Sequence, residues 1–451
     1  EHLLELSNGK KKLPLTDKKD ILTKCIYGVD IDVHAVEVSK FSLLIKLIED
    51  ETPASVKECV PILPDLSSNI KNGNSLICRE DIHGKELPIE VLCNIKPFEW
   101  ETINGGAKFD AIVGNPPYVK TEDIHTLETE EEFAVYKKKY KSAYKQFDKY
   151  FLFLEKAFDL LKEDGQMCYI VPNKFYKIGA GQELRRITAK YVSKLDDFGD
   201  MQLFPDKTIY SCIITLCKEC NKQLQYTNVI SLTDLWTGEE QENIEIKNEM
   251  LDENPWRLTT DIKFMKMIAK VEEHGKPLGE IVNIFNGIQT SAERPKPVYW
   301  FSKDEIVSEK EDEIIVDKFE KRYHIEKSIL KPFFKPTKAD EKGMGTYSIL
   351  KTDKYIIFPY NADGSLISID VMKKEYPGTY QYLEDCYELL VPKCLNGGKG
   401  RDIKNATADT WYQYGRTQAI TAFVNTPKLI VRISSKDPMY AYDENNMLIA
   451  S

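Results

Sequence analysis

The first 245 or so residues alternate short apolar runs with amphipathic stretches, and this alternation constrains the fold more than any other feature. The run "CIYGVDID" (residues 25–32) is strand-like, and "VHAVEVSKFSLLIKLIED" after it places apolar residues at helical spacing. The same order recurs in "FDAIVGNPPY", "YFLFLEKAFDLLKEDG" and "QMCYIVPNKFY". The pattern predicts an α/β fold with a parallel, doubly wound sheet, in which the glycine of "KEDG" closes the helix before it.

The alternation stops after the charged run "GEEQENIEIKNEMLDENP", which is the best linker in the chain. A length of 451 residues suits two domains better than a single core. We therefore predict one domain over residues 1–250 and a second, mixed α+β domain over residues 251–451. The second domain is rich in Tyr, Lys and Gly.

The composition excludes several classes of protein. Hydrophobic residues make up 42% of the chain and charged residues 30%, and no apolar run approaches the roughly 20 residues of a membrane helix. The only CxxC pair, Cys217 and Cys220, lacks a second pair or nearby histidine that would complete a zinc site. We predict no metal, no membrane association and a reducing, cytoplasmic compartment. The net charge of −10 argues only mildly against nucleic acid, because binding needs a local basic surface.

The segment Asn115-Pro116-Pro117-Tyr118 ends a short apolar strand, where two adjacent prolines remove two backbone donors. A proline-rich strand exit is one interpretation of such a pair. The other is chemical, because an exocyclic amine becomes nucleophilic when two acceptors bind its hydrogens and make the nitrogen tetrahedral. The Asn115 side chain and the Pro116 backbone offer two carbonyl oxygens, and the Tyr118 ring can stack on a flat substrate. We favour the chemical interpretation.

Two further polar residues follow predicted strands. Asp30 lies where an acid in a doubly wound sheet commonly holds a ribose hydroxyl pair, although Asp30 or Asp32 could instead cap the next helix. Asn74 can read an adenine amino edge or can be an ordinary turn asparagine. A nucleotide site also needs a glycine-rich turn before the Asp30 strand, and residues 1–24 contain none. Either the ligand is of another kind or that turn lies upstream of Glu1.

In their order, these segments resemble amino-methyltransferases that use S-adenosylmethionine, and the NPPY form is typical of the adenine-N6 DNA class. The resemblance covers about residues 20–220, through "IYGVDID", "GNSLI", "NPPY", "FLEKAFDLLKEDGQMCYIVPNKFY" and "FPDKTIYSCIITLCK". It implies a Rossmann-like methyltransferase sheet, S-adenosylmethionine as cofactor and a target base that is flipped out of the duplex. For the cofactor, the resemblance implies that Asp30 binds the ribose, that Ile31 packs on the adenine, and that Asn74 and Ser75 lie at the adenine edge. For the target base, it implies that Asn115, Pro116 and Pro117 lie at the amine. Tyr118 and Phe204 would then stack on the two faces of that base.

The second domain resembles the TaqI-like target-recognition domain of adenine methyltransferases, through "PLGEIVNIFNGIQTS", "ILKPFFK", "YIIFPY" and "NTPKLIVRISS". The resemblance implies double-stranded DNA as the partner, with some side chains positioning the backbone and others reading bases. The candidate contacts are basic residues interleaved with Trp411, Tyr412 and Tyr414, namely Lys331, Lys335, Lys399, Arg401 and Arg416. For each single cation, a solvated surface position is the alternative.

Together the two domains resemble type IIG restriction–modification proteins, in which an endonuclease domain precedes the methyltransferase. The 451 residues contain no persuasive D…ExK nuclease pattern, and the first methionine is Met167. We expect a fragment whose endonuclease domain and cofactor loop lie upstream and which alone binds S-adenosylmethionine poorly. A phage-defence modification enzyme without nuclease is equally compatible. Two further alternatives stay open, a protein glutamine-N5 methyltransferase and a catalytically silent DNA-recognition subunit.

Overall fold

The chain forms two compact units, Glu1–His274 and Gly275–Ser451. The computed structural model describes residues 4–5, 11–84, 86–205, 208–237, 242–335, 347–349, 352–403, 405–417, 420–422, 426–431, 440–444 and 446–450. The sequence predicts a domain boundary at residue 250, whereas the structure divides the chain between His274 and Gly275. The difference is due mainly to helix Ile262–His274, which belongs to the first unit.

The first unit combines ten strands and ten α-helices among its described residues. The strands are β1 Leu4–Glu5, β2 Lys11–Lys12, β3 Gly28–Asp30, β4 Ile70–Asn72, β5 Phe109–Gly114, β6 Leu161–Pro172, β7 Val192–Gln202, β8 Tyr210–Cys217, β9 Gln223–Asn228 and β10 Asn243–Lys247. The helices are α1 Leu15–Cys25, α2 Val33–Ile48, α3 Pro53–Glu58, α4 Ile89–Ile95, α5 Thr121–Leu127, α6 Glu130–Lys139, α7 Lys149–Leu160, α8 Gln182–Thr188, α9 Leu232–Thr237 and α10 Ile262–His274.

The main sheet of the first unit has six strands in the order β10-β9-β7-β8-β6-β5. Strand β5 runs parallel to β6, and β7 runs parallel to β9. Strand β8 runs antiparallel to both of its neighbours, β6 and β7. The predicted α/β class is therefore confirmed, but the sheet is mixed rather than purely parallel. Only residues 203–209 join β7 to β8, and so short a connection suits an antiparallel pair, whereas parallel neighbours need a longer crossover.

The core of this unit lies between the six-stranded sheet and helix α7. Phe151 and Leu154 of α7 are fully buried, as are Val171 of β6 and Ile214 of β8. Helix α7 ends at Leu160, five residues before the glycine that was predicted to close it. Gly165 lies instead in β6, where a Cβ atom would approach the Phe109 carbonyl oxygen to 2.9 Å. Glycine is required there by the close approach of two strands.

Strands β3 and β4 form a separate two-stranded parallel sheet, and β1 and β2 form an antiparallel pair. Helix α2 begins directly after β3 and packs on this small sheet through Val36 and Leu47. Among the described residues, no helix combines the length and the apolar character needed to cross a membrane.

The second unit is a mixed α+β arrangement of short strands, as predicted. Its strands are β11 Trp300–Phe301, β12 Ile306–Glu309, β13 Glu313–Lys318, β14 Lys321–Glu326, β15 Leu330–Phe334, β16 Tyr347–Ile349, β17 Tyr355–Ile357, β18 Lys428–Val431, β19 Tyr440–Asp443 and β20 Leu448–Ile449. They form three sheets, ordered β11-β17-β15-β20, β12-β13-β14 and β16-β19-β18. Its described helices are α11 Ile369–Glu375, α12 Pro377–Asp385 and α13 Tyr387–Leu390. The core is aromatic and includes Tyr299, Phe301, Tyr382, Tyr412 and Tyr414.

Candidate active site

The loop Asn115–Tyr118 leaves the sheet at the carboxyl end of β5. The last residue of the strand, Gly114, is paired with Tyr169 of β6, and a Cβ atom on Gly114 would lie 3.0 Å from the Tyr169 ring. Beyond this close approach the two prolines carry the chain away from the ladder. Asn115 is exposed, whereas Pro116 is buried. The local sequence therefore fixes the backbone of the loop and leaves the asparagine side chain accessible.

A cavity of about 380 Å³ opens beside this loop. Its lining brings together five residues predicted from the sequence, namely Asn115, Pro116, Pro117, Tyr118 and Phe204. Two further residues, Pro205 and Ile209, also line the cavity and were not predicted from the sequence. The volume lies in the range of small-ligand pockets, and a wall with one amide among apolar groups suits a flat, weakly polar ligand.

Two rings face the cavity from different elements. The centroids of Tyr118 and Phe204 are 6.4 Å apart, with an interplanar angle of 69°. The Tyr118 hydroxyl donates to the Ile170 carbonyl oxygen over 2.9 Å, which anchors the ring to β6. Burial raises the pKa of Tyr118 to about 12, and the nearby negative charge of Asp148 adds to the shift. The phenol therefore stays protonated near neutral pH and is not a base there.

Asp30 and Ile31 lie at the carboxyl end of β3, and both are exposed. Asp32 is the N-cap of α2, since its carboxylate accepts from the His34 N–H over 2.8 Å. Asp30 accepts from the Asp32 N–H through Oδ1, also over 2.8 Å. Asp32, and not Asp30, therefore caps helix α2. The exposed carboxylate of Asp30 stands beside an exposed apolar side chain, a combination that fits a ribose hydroxyl pair next to a flat ring.

Asn74 does not join that exposed surface, and Ser75 is half-buried. Asn74 is only 4% exposed, and its Oδ1 accepts from the Leu76 N–H over 3.0 Å. Its Nδ2 faces Glu132 at 3.4 Å. The Ser75 carbonyl oxygen accepts from the Trp100 indole over 3.0 Å. Both ends of the Asn74 amide thus have partners within the protein, as expected for an ordinary turn asparagine. In this structure the amide is not presented to an adenine edge.

Strand β7 carries a buried carboxylate that is not among the residues predicted from the sequence. Asp197 of β7 accepts from Asn173 Nδ2 over 2.8 Å, from the Tyr226 hydroxyl over 3.3 Å and from the Tyr176 hydroxyl. Burial and the Asp197 charge raise the pKa of both tyrosines, so both remain donors. Nearby, Lys174 pairs with Asp148 over 2.8 Å. The sequence signal was an acid inside an apolar strand, because such a charge is buried only with partners.

In the second unit, the five candidate DNA contacts differ in exposure. Lys399 and Arg416 are exposed. Lys331 is half-buried on β15, and Lys335 pairs with Glu293. Arg401 is 6% exposed, and its guanidinium donates to four backbone carbonyl groups. A side chain used in this way cannot reach a phosphate or a base, which corrects the expectation for Arg401.

The aromatic residues near these cations belong to the interior. Trp411, Tyr412 and Tyr414 are each less than 5% exposed and form part of the core of the second unit. They are therefore not available to stack on DNA, although the sequence placed them between basic residues.

The chain is similar in sequence to known methylases. Residues 24–204 match the model of the Eco57I restriction-modification methylase family. This segment is similar to the methylase domain that the family model describes. It contains β3, β5 and the loop Asn115–Tyr118, and it ends at Phe204.

The similarity to curated proteins extends beyond this methylase domain. The type II restriction enzyme and methyltransferase RM.Eco57I of Escherichia coli is 37% identical over 461 aligned residues, which cover 100% of this chain and 44% of that protein. The type II methyltransferase M.BstVI of Geobacillus stearothermophilus is 26% identical over 72% of this chain and 54% of its own length. The chain thus spans about half the length of these relatives.

Among solved structures, the type IIL restriction-modification enzyme MmeI in complex with DNA aligns over 97% of this chain and 57% of its own, with a TM-score of 0.49 and 12% identity. A methylase domain implies S-adenosylmethionine as the methyl donor. Asp30 and Ile31 fit that group by their exposure and chemistry at the end of β3.

Proposed function

We propose that residues 1–250 transfer a methyl group from S-adenosylmethionine to N6 of an adenine flipped out of double-stranded DNA, and that residues 251–451 recognise the target sequence. The enzyme would act in the cytoplasm, as part of a restriction–modification or phage-defence system. The observation that carries the proposal is the cavity beside Asn115–Tyr118, where two carbonyl acceptors and two aromatic rings meet in a methylase domain.

The chemistry follows from the acceptors at the cavity wall. Neither the Asn115 side chain nor the Pro116 carbonyl oxygen hydrogen-bonds to any residue that the structure describes, so both can bind the two hydrogens of an exocyclic amine. Holding both hydrogens localises the nitrogen lone pair and prepares the nitrogen to attack. S-adenosylmethionine supplies an electrophilic methyl group when bound. The Asn115 and Pro116 oxygens then stabilise the positive charge that develops on the nitrogen, until a proton leaves it.

The aromatic rings supply the contacts that a flipped base needs. A base leaving the duplex loses its stacking and pairing, and this cost must be offset in the pocket. Because the Tyr118 and Phe204 planes are inclined at 69°, a flat base would stack on one ring and meet the edge of the other in the geometry observed here.

Two features support DNA rather than a protein amide as the substrate. The alignment with RM.Eco57I covers both compact units, and that relative is a restriction enzyme and methyltransferase by name. The second unit is a separate mixed α+β body with exposed basic loops, which a small protein-glutamine methyltransferase lacks. An endonuclease domain or subunit of the same system is a further partner that this relationship suggests.

The test is methyl transfer by the intact enzyme. Unmethylated DNA is incubated with methyl-labelled S-adenosylmethionine, digested to nucleosides and analysed by mass spectrometry. We expect N6-methyladenine, with the rate reduced about 100- to 1000-fold by Asn115→Ala, as when one preorganised group is removed from a charge-stabilising site. Asn94→Ala, on the exposed side of α4, is the matched control and should leave the rate unchanged.

Other products would change the assignment. Label on a glutamine side chain of a protein would replace DNA by a protein substrate. Binding of DNA without transfer to any substrate would make the chain a recognition subunit.

A further inference from the structure

Arg401 connects three separate segments of the second unit. Its Nε donates to the Leu390 carbonyl over 2.5 Å, its Nη2 to the Trp411 carbonyl over 2.6 Å, and its Nη1 to the Gln413 and Thr290 carbonyls over 2.9 and 3.1 Å. Within the described residues Arg401 forms no ion pair, although it is 94% buried, so its charge is balanced by carbonyl dipoles and by the face of the Tyr299 ring, whose centroid lies 5.8 Å from the guanidinium carbon. The buried guanidinium therefore adds positive potential to the loops around it.

Each of the three segments carries exposed cations close to its contact with Arg401. We call these five side chains the rim cations: Arg294, Lys296, Lys393, Lys399 and Arg416. None of the five forms an ion pair with a carboxylate in the described part of the chain, whereas Lys318, Lys321 and Lys335 of the same unit are all paired. Unpaired cations on three neighbouring loops are notable in a chain of net charge −10.

Backbone hydrogen bonds hold these segments to one another. The N–H groups of Gly415 and Arg416 donate to the carbonyls of Thr290 and Gln289, each over 3.1 Å. The Arg401 N–H donates to the Val391 carbonyl over 3.0 Å. Because Arg401 ties the same segments, the loops that carry the rim cations are held to one another.

The Lys399 loop is a tight turn that its glycines make possible. Gly397, Gly398 and Gly400 have φ angles of +54°, +87° and +120°. A Cβ atom on Gly400 would lie 2.2 Å from the Val391 carbonyl oxygen, so only glycine allows this approach. The Lys399 N–H donates to the Asn396 carbonyl over 3.0 Å. Lys399 is thus carried by a short, hydrogen-bonded turn.

We propose that the rim cations bind the phosphate groups of duplex DNA, and that Arg401 is a positioning residue that sets their spacing without touching DNA. The inference rests on the proposed function and assigns the DNA contacts of its second unit. Several cations on rigid, neighbouring loops match a regular polyanion, and preorganisation reduces the entropy lost on binding. An acidic protein surface is the alternative partner, and the experiment distinguishes the two.

The test measures how DNA binding by the intact enzyme depends on salt. Affinity for a fluorescent duplex is measured by anisotropy over a series of KCl concentrations for Lys399→Ala, Arg416→Ala and the control Lys374→Ala, whose lysine is exposed on α11. Each rim variant should lower the slope of log K against log [salt] by about 0.9 and weaken binding roughly fivefold to tenfold near 0.1 M salt. The control should match the wild type.

Arg401 is tested by separating binding from catalysis. For Arg401→Lys we expect a raised KM for DNA with kcat at saturating DNA nearly unchanged, and a larger rise in KM for Arg401→Met, since lysine keeps the charge and part of the donor set. Circular dichroism establishes that each variant is folded. If neither Arg401 variant folds, the Lys399 and Arg416 variants decide the proposal.

Outcomes for the proposal and for the function are distinguishable. Rim variants that behave like Lys374→Ala, in an enzyme that still forms N6-methyladenine, overturn the rim assignment alone. Rim variants that lose binding to polyglutamate but keep the DNA salt slope would assign the surface to an acidic protein and also overturn it. A wild-type enzyme that forms no N6-methyladenine contradicts the proposed function, whatever the salt slopes are.

Discussion

At the scale of single residues, Phe204 offers a direct test of how the pocket holds a base. Stacking of a base on an aromatic side chain is worth about 1–3 kcal/mol, so Phe204→Ala should weaken binding of the flipped state by roughly fivefold to 150-fold. DNA with 2-aminopurine at the target position reports flipping by its fluorescence. Phe204→Tyr should keep the signal, and so should Phe264→Ala, which removes an exposed ring on α10. An unchanged signal in Phe204→Ala would remove this residue from the site.

Tyr118 links the pocket to the pH dependence of stability. Its pKa is raised to about 12, so between pH 10 and 12 the unfolded chain releases the phenol proton more readily than the folded one. The stability gained from this shift is therefore present below pH 10 and is lost as the pH rises towards 12. Tyr118→Phe also removes the bond to Ile170, at a cost of about 1 kcal/mol.

We therefore expect Tyr118→Phe to be less stable than wild type at pH 8, with a difference that shrinks by pH 11. Urea unfolding at the two pH values measures it. A difference that stays constant with pH would show that Tyr118 does not titrate as described.

At the scale of elements, Asp197 joins the segment after β6 to strands β7 and β9. It accepts from Asn173, Tyr176 and Tyr226, so three parts of the first unit depend on one carboxylate. Replacing Asp197 by Asn leaves one acceptor and should cost about 1.5–3 kcal/mol, the range for hydrogen bonds to a charged group. Chemical denaturation measures this loss. Asp200→Asn, on the exposed end of β7, is the matched control, and equal stability of the two variants would contradict the role given to Asp197.

The same scale shows what the sequence could and could not predict. The strand before Asn115 and the helix after Asp32 were predictable because apolar spacing, prolines and caps act over a few residues. The direction of β8 was not, because strand direction depends on the connection and on the neighbouring strands. The burial of Arg401 was also hidden, since its Thr290 partner lies 111 residues away. A basic residue after glycines is typical of a DNA-binding loop until its carbonyl partners are known.

At the scale of the whole molecule, the two units have separate hydrophobic cores. The core cluster of the six-stranded sheet extends from Leu76 to Trp256 and that of the second unit from Ile288 to Leu448. Asn115 belongs to the first unit and the rim cations to the second. A substitution in one unit should therefore leave the packing of the other intact. If the first unit carries catalysis and the second carries recognition, the effects of substitutions in the two units should add.

Asn115→Ala and Arg416→Ala should lower kcat/KM for DNA independently, the first through kcat and the second through KM. In the double variant we expect the two free-energy losses to add, with a coupling below about 0.5 kcal/mol, as for substitutions that share no partner. Asn115→Ala with Phe204→Ala is the internal comparison, because both residues line one cavity and should be non-additive. Steady-state methyl-transfer assays give kcat and KM for wild type, the three single variants and the two double variants. Strong coupling between Asn115 and Arg416 would mean that recognition and chemistry are not separable, because binding at the rim would then assemble the catalytic pocket.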